Sequence, residues 1–206
     1  MTNLLQLPNR VIRHLFLDGS YERYYSPEVW DDKYDRGYDL NAPAEDGRYG
    51  ALLAMIRRFE RRGPILDAGC GDGLLEQQLV RVSDSRLVGI DYSQSAIDAA
   101  NARRLPNCKF ICSDYRGFQP QERFSIIVFN EALYYVEDYL ATVEHLSRFL
   151  VEDGVLIVSM FETRVTSRIW KALKGRCPDI QGTLVQDEAT GTRWRIRVLQ
   201  PPRVVS

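Results

Sequence analysis

Strand-like and helix-like segments alternate five times along this sequence, and that alternation limits the possible folds more than any other feature. Apolar runs occupy residues 64–68, 87–91, 109–112, 124–129 and 154–161. Their length suits buried strands better than helices. Helical patterns cover 73–82, 94–101, the stretch around 138–150 and the stretch around 165–174, with Ser93 as an N-cap. A further helix precedes them, because Tyr49, Leu52, Leu53, Ile56 and Phe59 recur at helical spacing and Gly63-Pro64 stops the pattern. Residues 183–187 and 192–199 flank a Glu-Ala-Thr-Gly turn and read as a hairpin. Repeated βα units build a parallel sheet with helices on both faces. The expected fold is therefore a doubly wound α/β sheet of seven strands, mostly parallel, with an antiparallel C-terminal hairpin. Residues 1–48 lack this regularity and read as a helical cap or lid. Residues 49–206 read as the domain proper.

Composition narrows the class. A chain of 206 residues fits one domain with a small appendage. Its 27 basic and 28 acidic residues leave a net charge of −1, so no nucleic-acid partner is expected. No apolar run approaches a membrane span. The apolar start, residues 1–17, is broken by Asn3, Gln6, Pro8, Asn9, Arg10 and Arg13, unlike a signal peptide. Cys70, Cys108, Cys112 and Cys177 form no CxxC, and His14 and His145 are the only histidines, so no metal site is expected. Free thiols then suit a reducing cytoplasm.

In sheets of this kind ligands gather beyond the carboxyl ends of the strands. The first strand ends in Asp67-Ala68-Gly69-Cys70-Gly71-Asp72-Gly73. Glycines there permit a tight turn and close approach of a ligand to the backbone. A dinucleotide fingerprint would need its third glycine at 74, where Leu74 stands. Asp67 in front would repel a pyrophosphate and attract an ammonium group. A cationic, phosphate-free ligand is expected, and a nicotinamide oxidoreductase is disfavoured.

This stretch resembles the first motif of the class I S-adenosylmethionine-dependent methyltransferases, a Rossmann-like family. Leu87-Val88-Gly89-Ile90-Asp91-Tyr92-Ser93 resembles the second motif, with Asp91 24 residues after Asp67 and in position for the ribose hydroxyls. Phe110-Ile111-Cys112-Ser113-Asp114-Tyr115 resembles the third, whose acid meets the adenine amino group. Phe129-Asn130-Glu131-Ala132-Leu133-Tyr134-Tyr135 resembles the fourth. The resemblance covers residues ~30–200 and gains its weight from all four motifs occurring in order. It implies S-adenosylmethionine as cofactor, S-adenosylhomocysteine as product, and cofactor contacts from Asp67, Gly69, Cys70, Gly71, Gly73, Asp91, Tyr92, Ser113, Asp114, Tyr115 and Asn130. Cys70 needs only a small side chain between its glycines and is not read as a nucleophile.

The segment Trp30 to Gly37 resembles the stretch before the first motif in small-molecule methyltransferases, and Tyr34 is the candidate to cover the methionine end of the cofactor. An aromatic face also attracts a sulfonium charge; the other reading is that these aromatics only pack the cap. After the fourth strand the family places groups that face the acceptor. Many relatives carry a Glu-His pair where Tyr134-Tyr135 stand, so a histidine-based mechanism is disfavoured. The Glu-Ala-Leu-Tyr-Tyr run resembles nodulation-type N-methyltransferases, which act on an amino sugar. Glu131 is the first candidate for a general base and Tyr135 the second.

Three basic clusters remain: Arg57, Arg58, Arg61 and Arg62; Arg193, Arg195 and Arg197; and Arg164, Arg168, Lys171 and Lys174. Each reads as solvated surface or as a docking face for an acidic carrier protein or substrate. The implied activity is methyl transfer to N or O of a small molecule. Methylation of RNA or protein, and a non-catalytic cofactor-binding role, stay open, as do monomer and homodimer.

Overall fold

The computed structural model describes residues 26–37 and 46–202. Tyr21, Tyr24, Tyr25 and Tyr38, and the apolar start over 1–17, lie outside the described residues. One sheet holds seven strands: β1 Ile65–Ala68, β2 Leu87–Asp91, β3 Cys108–Cys112, β4 Phe124–Asn130, β5 Leu150–Phe161, β6 Asp179–Gln186 and β7 Arg193–Leu199. Their spatial order is β3-β2-β1-β4-β5-β7-β6. The first five run parallel, and β7 is antiparallel to both of its neighbours. The chain reverses direction across the sheet between β1 and β4, the switch point at which α/β sheets open a crevice.

The helices are α1 Pro27–Asp35, α2 Asp46–Phe59, α3 Leu74–Leu79, α4 Gln94–Ala102, α5 Tyr139–Ser147 and α6 Arg164–Lys174. Each face of the sheet has its own core. Leu66, Val88, Phe129, Val158 and Met160 pack on one side with Leu146, Ile169 and Leu173. Ile65, Ile126, Val128 and Ile157 pack on the other with Leu52, Ile56, Leu75 and Leu79. Alternate strand residues serve opposite faces, so a strand such as β4 is apolar throughout, with Phe124 to Phe129 all buried.

The expected α/β doubly wound sheet, its seven strands and its C-terminal hairpin are present. Local boundaries differ. The helix expected over 73–82 is only Leu74–Leu79, because Gly73 adopts a left-handed conformation (φ 79°) and serves as the N-cap. β5 starts at Leu150 rather than 154, since Leu150 already pairs with Phe124 while Glu152 and Asp153 stay exposed. β6 starts at Asp179, where a bulge follows Asp179 and breaks the alternation a sequence pattern depends on. The segment boundary drawn at 48 falls inside α2, whose Arg48 and Tyr49 are both buried.

Candidate active site

The turn after β1 is built from glycines that no other residue replaces easily. Gly69 has φ 86°. A Cβ there would stand 2.5 Å from the Ala132 Cβ and 2.7 Å from the Tyr115 hydroxyl. The turn thus brings the ends of β1 and β4 and the loop after β3 against one another. The Gly69 and Cys70 amides both donate to the Ile90 carbonyl, at 2.8 and 3.0 Å, which ties the turn to β2.

Asp91 ends β2, 8% exposed. One carboxylate oxygen accepts from the Gly71 amide and the other from the Ser93 amide, each at 3.0 Å. Burial pushes this carboxyl up, and the amide hydrogen bonds pull against it. Each oxygen has a second lone pair, so the group keeps room for two more donors.

Asp67 lies deeper. Its Oδ1 is buried and has no hydrogen-bond partner. Burial first, then Asp91, pushes its carboxyl up to about 8, while the Arg48 guanidinium opposes the shift. Arg48 comes from α2, is 1% exposed, and donates to the Asn130 side chain. Its guanidinium also lies 4.3 Å from the Tyr49 ring centre. An acid and a guanidinium are therefore buried together at the switch point.

The remaining expected residues divide. Tyr34 is half-buried with its ring centre 6.2 Å from that of Trp30, and its phenol is pushed well up by burial and by Asp91 and Asp72. The Tyr115 phenol is likewise pushed up, by burial and by Asp91. Cys70 is buried and its thiol is driven well up by burial and by Glu76, so it is a poor nucleophile. The Ser113 amide donates to the Asp91 carbonyl at 2.9 Å. Asp114 is exposed and its carboxylate turns back onto the Gly117 amide. Tyr92 is half-buried beside Asp91, and Gly73 caps α3.

Glu131 is in the left-handed region (φ 55°), unusual for a non-glycine residue. Its carboxylate accepts from Ser159 Oγ at 2.8 Å, from the Phe161 amide at 2.9 Å and from the Tyr134 hydroxyl at 3.2 Å. The strained residue thereby locks the ends of β4 and β5 together. Tyr134 and Tyr135 have ring centres 4.5 Å apart with their planes tilted by 52°, and Trp30 of α1 meets Tyr135 edge-on at 4.9 Å.

Arg48 has no counterpart in the sequence reading, and within the segment Trp30 to Gly37 the contacts of Trp30 and Asp31 are not singled out. Arg48 sits in an ordinary helical pattern with further arginines downstream, so only its burial distinguishes it. Among the described residues no group of His, Cys, Asp and Glu is arranged to hold a metal.

The model of a methyltransferase domain matches residues 36–194. The chain belongs to the methyltransferase-domain family. Among curated relatives, trans-aconitate 2-methyltransferase of Enterobacter sp. (strain 638) is 36% identical over 122 residues, 59% of this chain and 48% of that one. Malonyl-[acyl-carrier protein] O-methyltransferase of Bacillus anthracis is 29% identical over 129 residues, 60% and 48% of the two chains. This methyltransferase domain thus spans about half the length of the curated relatives it matches. Among solved structures, N-methyltransferase NodS from Bradyrhizobium japonicum WM9, in complex with S-adenosylhomocysteine, superposes with a TM-score of 0.71 at 21% identity, covering 84% of this chain and 99% of that one. The 1,6-didemethyltoxoflavin N1-methyltransferase of Burkholderia thailandensis gives 0.70 at 16% identity, covering 86% and 87%. At these identities both likenesses establish the shared fold.

Proposed function

We propose that the protein transfers a methyl group from S-adenosylmethionine to a nitrogen or oxygen atom of a small molecule. The observation that carries this reading is the buried, partnerless Asp67 Oδ1 next to the Arg48 guanidinium. A carboxylate and a guanidinium buried in the same part of the sheet edge suit the two charges of an amino-acid end, ammonium and carboxylate. They do not suit the pyrophosphate of a nicotinamide cofactor. Bound S-adenosylmethionine supplies a methyl group already activated on a sulfonium sulfur, with a neutral thioether as leaving group.

This chain's residues then bind, orient and exclude water. Asp67 and Arg48 hold the amino-acid end. Asp91 accepts from the two ribose hydroxyls on the lone pairs its amide partners leave. Gly69, Gly71 and Gly73 bring backbone close to the ligand, with Cys70 filling the space between. Tyr92, Ser113, Asp114 and Tyr115 border the adenine side, and Asn130 keeps Arg48 oriented. Tyr34 covers the turn, and its ring face suits a sulfonium charge. Rate enhancement is then mostly alignment and desolvation.

On the acceptor side, Glu131 already accepts three hydrogen bonds, from Ser159, the Phe161 amide and Tyr134. That supports an anchoring role, in which Glu131 holds Tyr134 and through it Tyr135. Proton removal by Glu131 remains the reading to test against it, with Tyr135 as the second group within the acceptor wall. The acceptor is a small molecule, free or carried on an acidic carrier protein.

Calorimetry with S-adenosylmethionine and S-adenosylhomocysteine tests the proposal, with Asp91→Ala as control and NADH as comparator. Binding of both, lost in the variant, is expected. Binding of NADH instead overturns it.

A further inference from the structure

We infer that α6 and the neighbouring face of the β6–β7 hairpin form a docking surface for an acidic, helix-presenting carrier domain that brings the methyl acceptor to the site. The inference rests on the methyl-transfer reading for the acceptor chemistry and adds where the partner sits.

Charge is distributed unevenly in this chain. Residues 163–178 contain Arg164, Arg168, Lys171, Lys174 and Arg176 and no acid, although the whole chain carries −1. α6 buries Thr166, Ile169 and Leu173, and its four cations are exposed on the opposite side. Arg176 pairs with Glu144. Arg164, Lys171 and Lys174 have no ion pair among the described residues.

Strand register extends this surface onto the sheet. Arg195 lies opposite Met160 and Arg197 opposite Val158. Directly opposed residues of an antiparallel pair share a face. Met160 and Val158 pack with Ile169 and Leu173 of α6, so Arg195 and Arg197 project on the same side of the sheet as that helix. On β6, Gly182 and Leu184 oppose Arg197 and Arg195. Gly182 leaves the space that Arg197 crosses: a Cβ there would stand 2.5 Å from the Arg197 Cδ. Leu184 is 49% exposed on this face, opposite Arg195, and Ile180, in the bulge four residues before it, is 42% exposed. The face of the hairpin on the α6 side therefore carries guanidiniums with an exposed aliphatic side chain among them, and a second lies at the bulge.

This composition selects the partner. Glu162 bridges Arg193 and Arg195, and Asp179 faces Arg197. These pairs leave Arg164, Lys171 and Lys174 of α6 as the charge offered to a partner, and a nucleic acid makes little use of Ile180 and Leu184. An acidic helix with interspersed apolar side chains satisfies both parts of the surface. The location fits as well, since α6 begins three residues after Phe161, whose amide holds Glu131.

The test uses the full chain and an acidic acyl-carrier protein, unloaded and malonyl-loaded, titrated by calorimetry at low and high salt. Lys171→Glu/Lys174→Glu is compared with Arg58→Glu/Arg61→Glu, exposed cations near the end of α2. Binding at low salt is expected, weakened about tenfold by the α6 reversal and by added salt, and unaffected by the control. S-adenosylhomocysteine affinity, measured on the same proteins, stays unchanged. Absence of carrier binding at low salt, or equal loss in the control, overturns the inference. So does preference of the α6 face for an RNA duplex or for phosphatidylglycerol vesicles. Carrier binding without S-adenosylhomocysteine binding would retain the surface and reject the methyl-transfer reading.

Discussion

Asp31 of α1 meets Ser93 at the head of α4, with 2.6 Å between the Asp31 Oδ1 and the Ser93 hydroxyl. The same oxygen accepts from the Ser95 amide at 3.1 Å, satisfying a free donor of the first turn of α4. Ser93 in turn caps the helix, accepting from the Ala96 amide at 3.1 Å, and gives its own amide to Asp91. The segment that carries Trp30 and Tyr34 is thus fastened to the turn that carries the proposed ribose acid.

Asp31→Ala removes that fastening. Loss of a helix-capping side chain costs about 1 kcal/mol. Hydrogen exchange in residues 27–35 is expected to speed up. S-adenosylhomocysteine should bind roughly fivefold more weakly, the same energy expressed in affinity. Unchanged exchange in α1 would show that Trp30 and Tyr135 alone hold the segment.

Asp67 supplies a pH prediction. Its carboxyl, pushed up to about 8, is mostly protonated at pH 6 in the free protein. Holding an ammonium group requires the charged form. Affinity for S-adenosylhomocysteine is therefore expected to rise from pH 6 toward 8, with protons released on binding. Calorimetry in buffers of different ionisation heat measures that release directly. Asp67→Asn should bind at least tenfold more weakly and lose the release; a variant that keeps it places the proton elsewhere.

Much of this was legible in the sequence. The succession of strands along the chain and the positions of Asp67, Asp91 and Asn130 near strand ends follow from apolar runs and glycine spacing, which are local properties. Arg48 and Asp31 were not legible, because their importance comes from packing across the fold. Arg48 meets Asn130 across 82 residues and Asp31 meets Ser93 across 62. The clamp on Glu131 was hidden for the same reason: two of its donors sit on β5, brought alongside by the parallel pairing of β4 and β5.

Glu76 tests the electrostatics of the core beneath the site. It is 1% exposed, and neither carboxylate oxygen has a hydrogen-bond partner. Burial, and then Asp67, pushes its carboxyl well above the usual carboxylate range. The folded state therefore holds a proton that the unfolded chain gives up near pH 4.5. The folded state's advantage is full below that pH and is lost as pH rises toward the folded value. Glu76→Gln, uncharged at every pH, should melt close to the parent at pH 4.5 and a few degrees above it at pH 8. Parallel melting curves for the two proteins across this range would remove Glu76 as the source of the trend.

Glu131 offers a choice between anchor and base. Hydrogen bonds to a charged group contribute about 1.5–3 kcal/mol each. Glu131→Gln keeps the shape but turns one acceptor into a donor, so at least one of the contacts to Ser159, the Phe161 amide or Tyr134 is lost. An anchor then predicts a drop of several degrees in melting temperature and turnover about tenfold lower or worse. S-adenosylhomocysteine affinity should stay within about twofold, since the proposed place of Glu131 is the acceptor side. The pH profile of turnover separates the roles. With an anchoring Glu131 the variant's profile keeps its shape at reduced height, because the titrating group is elsewhere. With Glu131 as the base, the limb that rises with pH disappears as well, and a variant with a flat profile would return Glu131 to proton transfer.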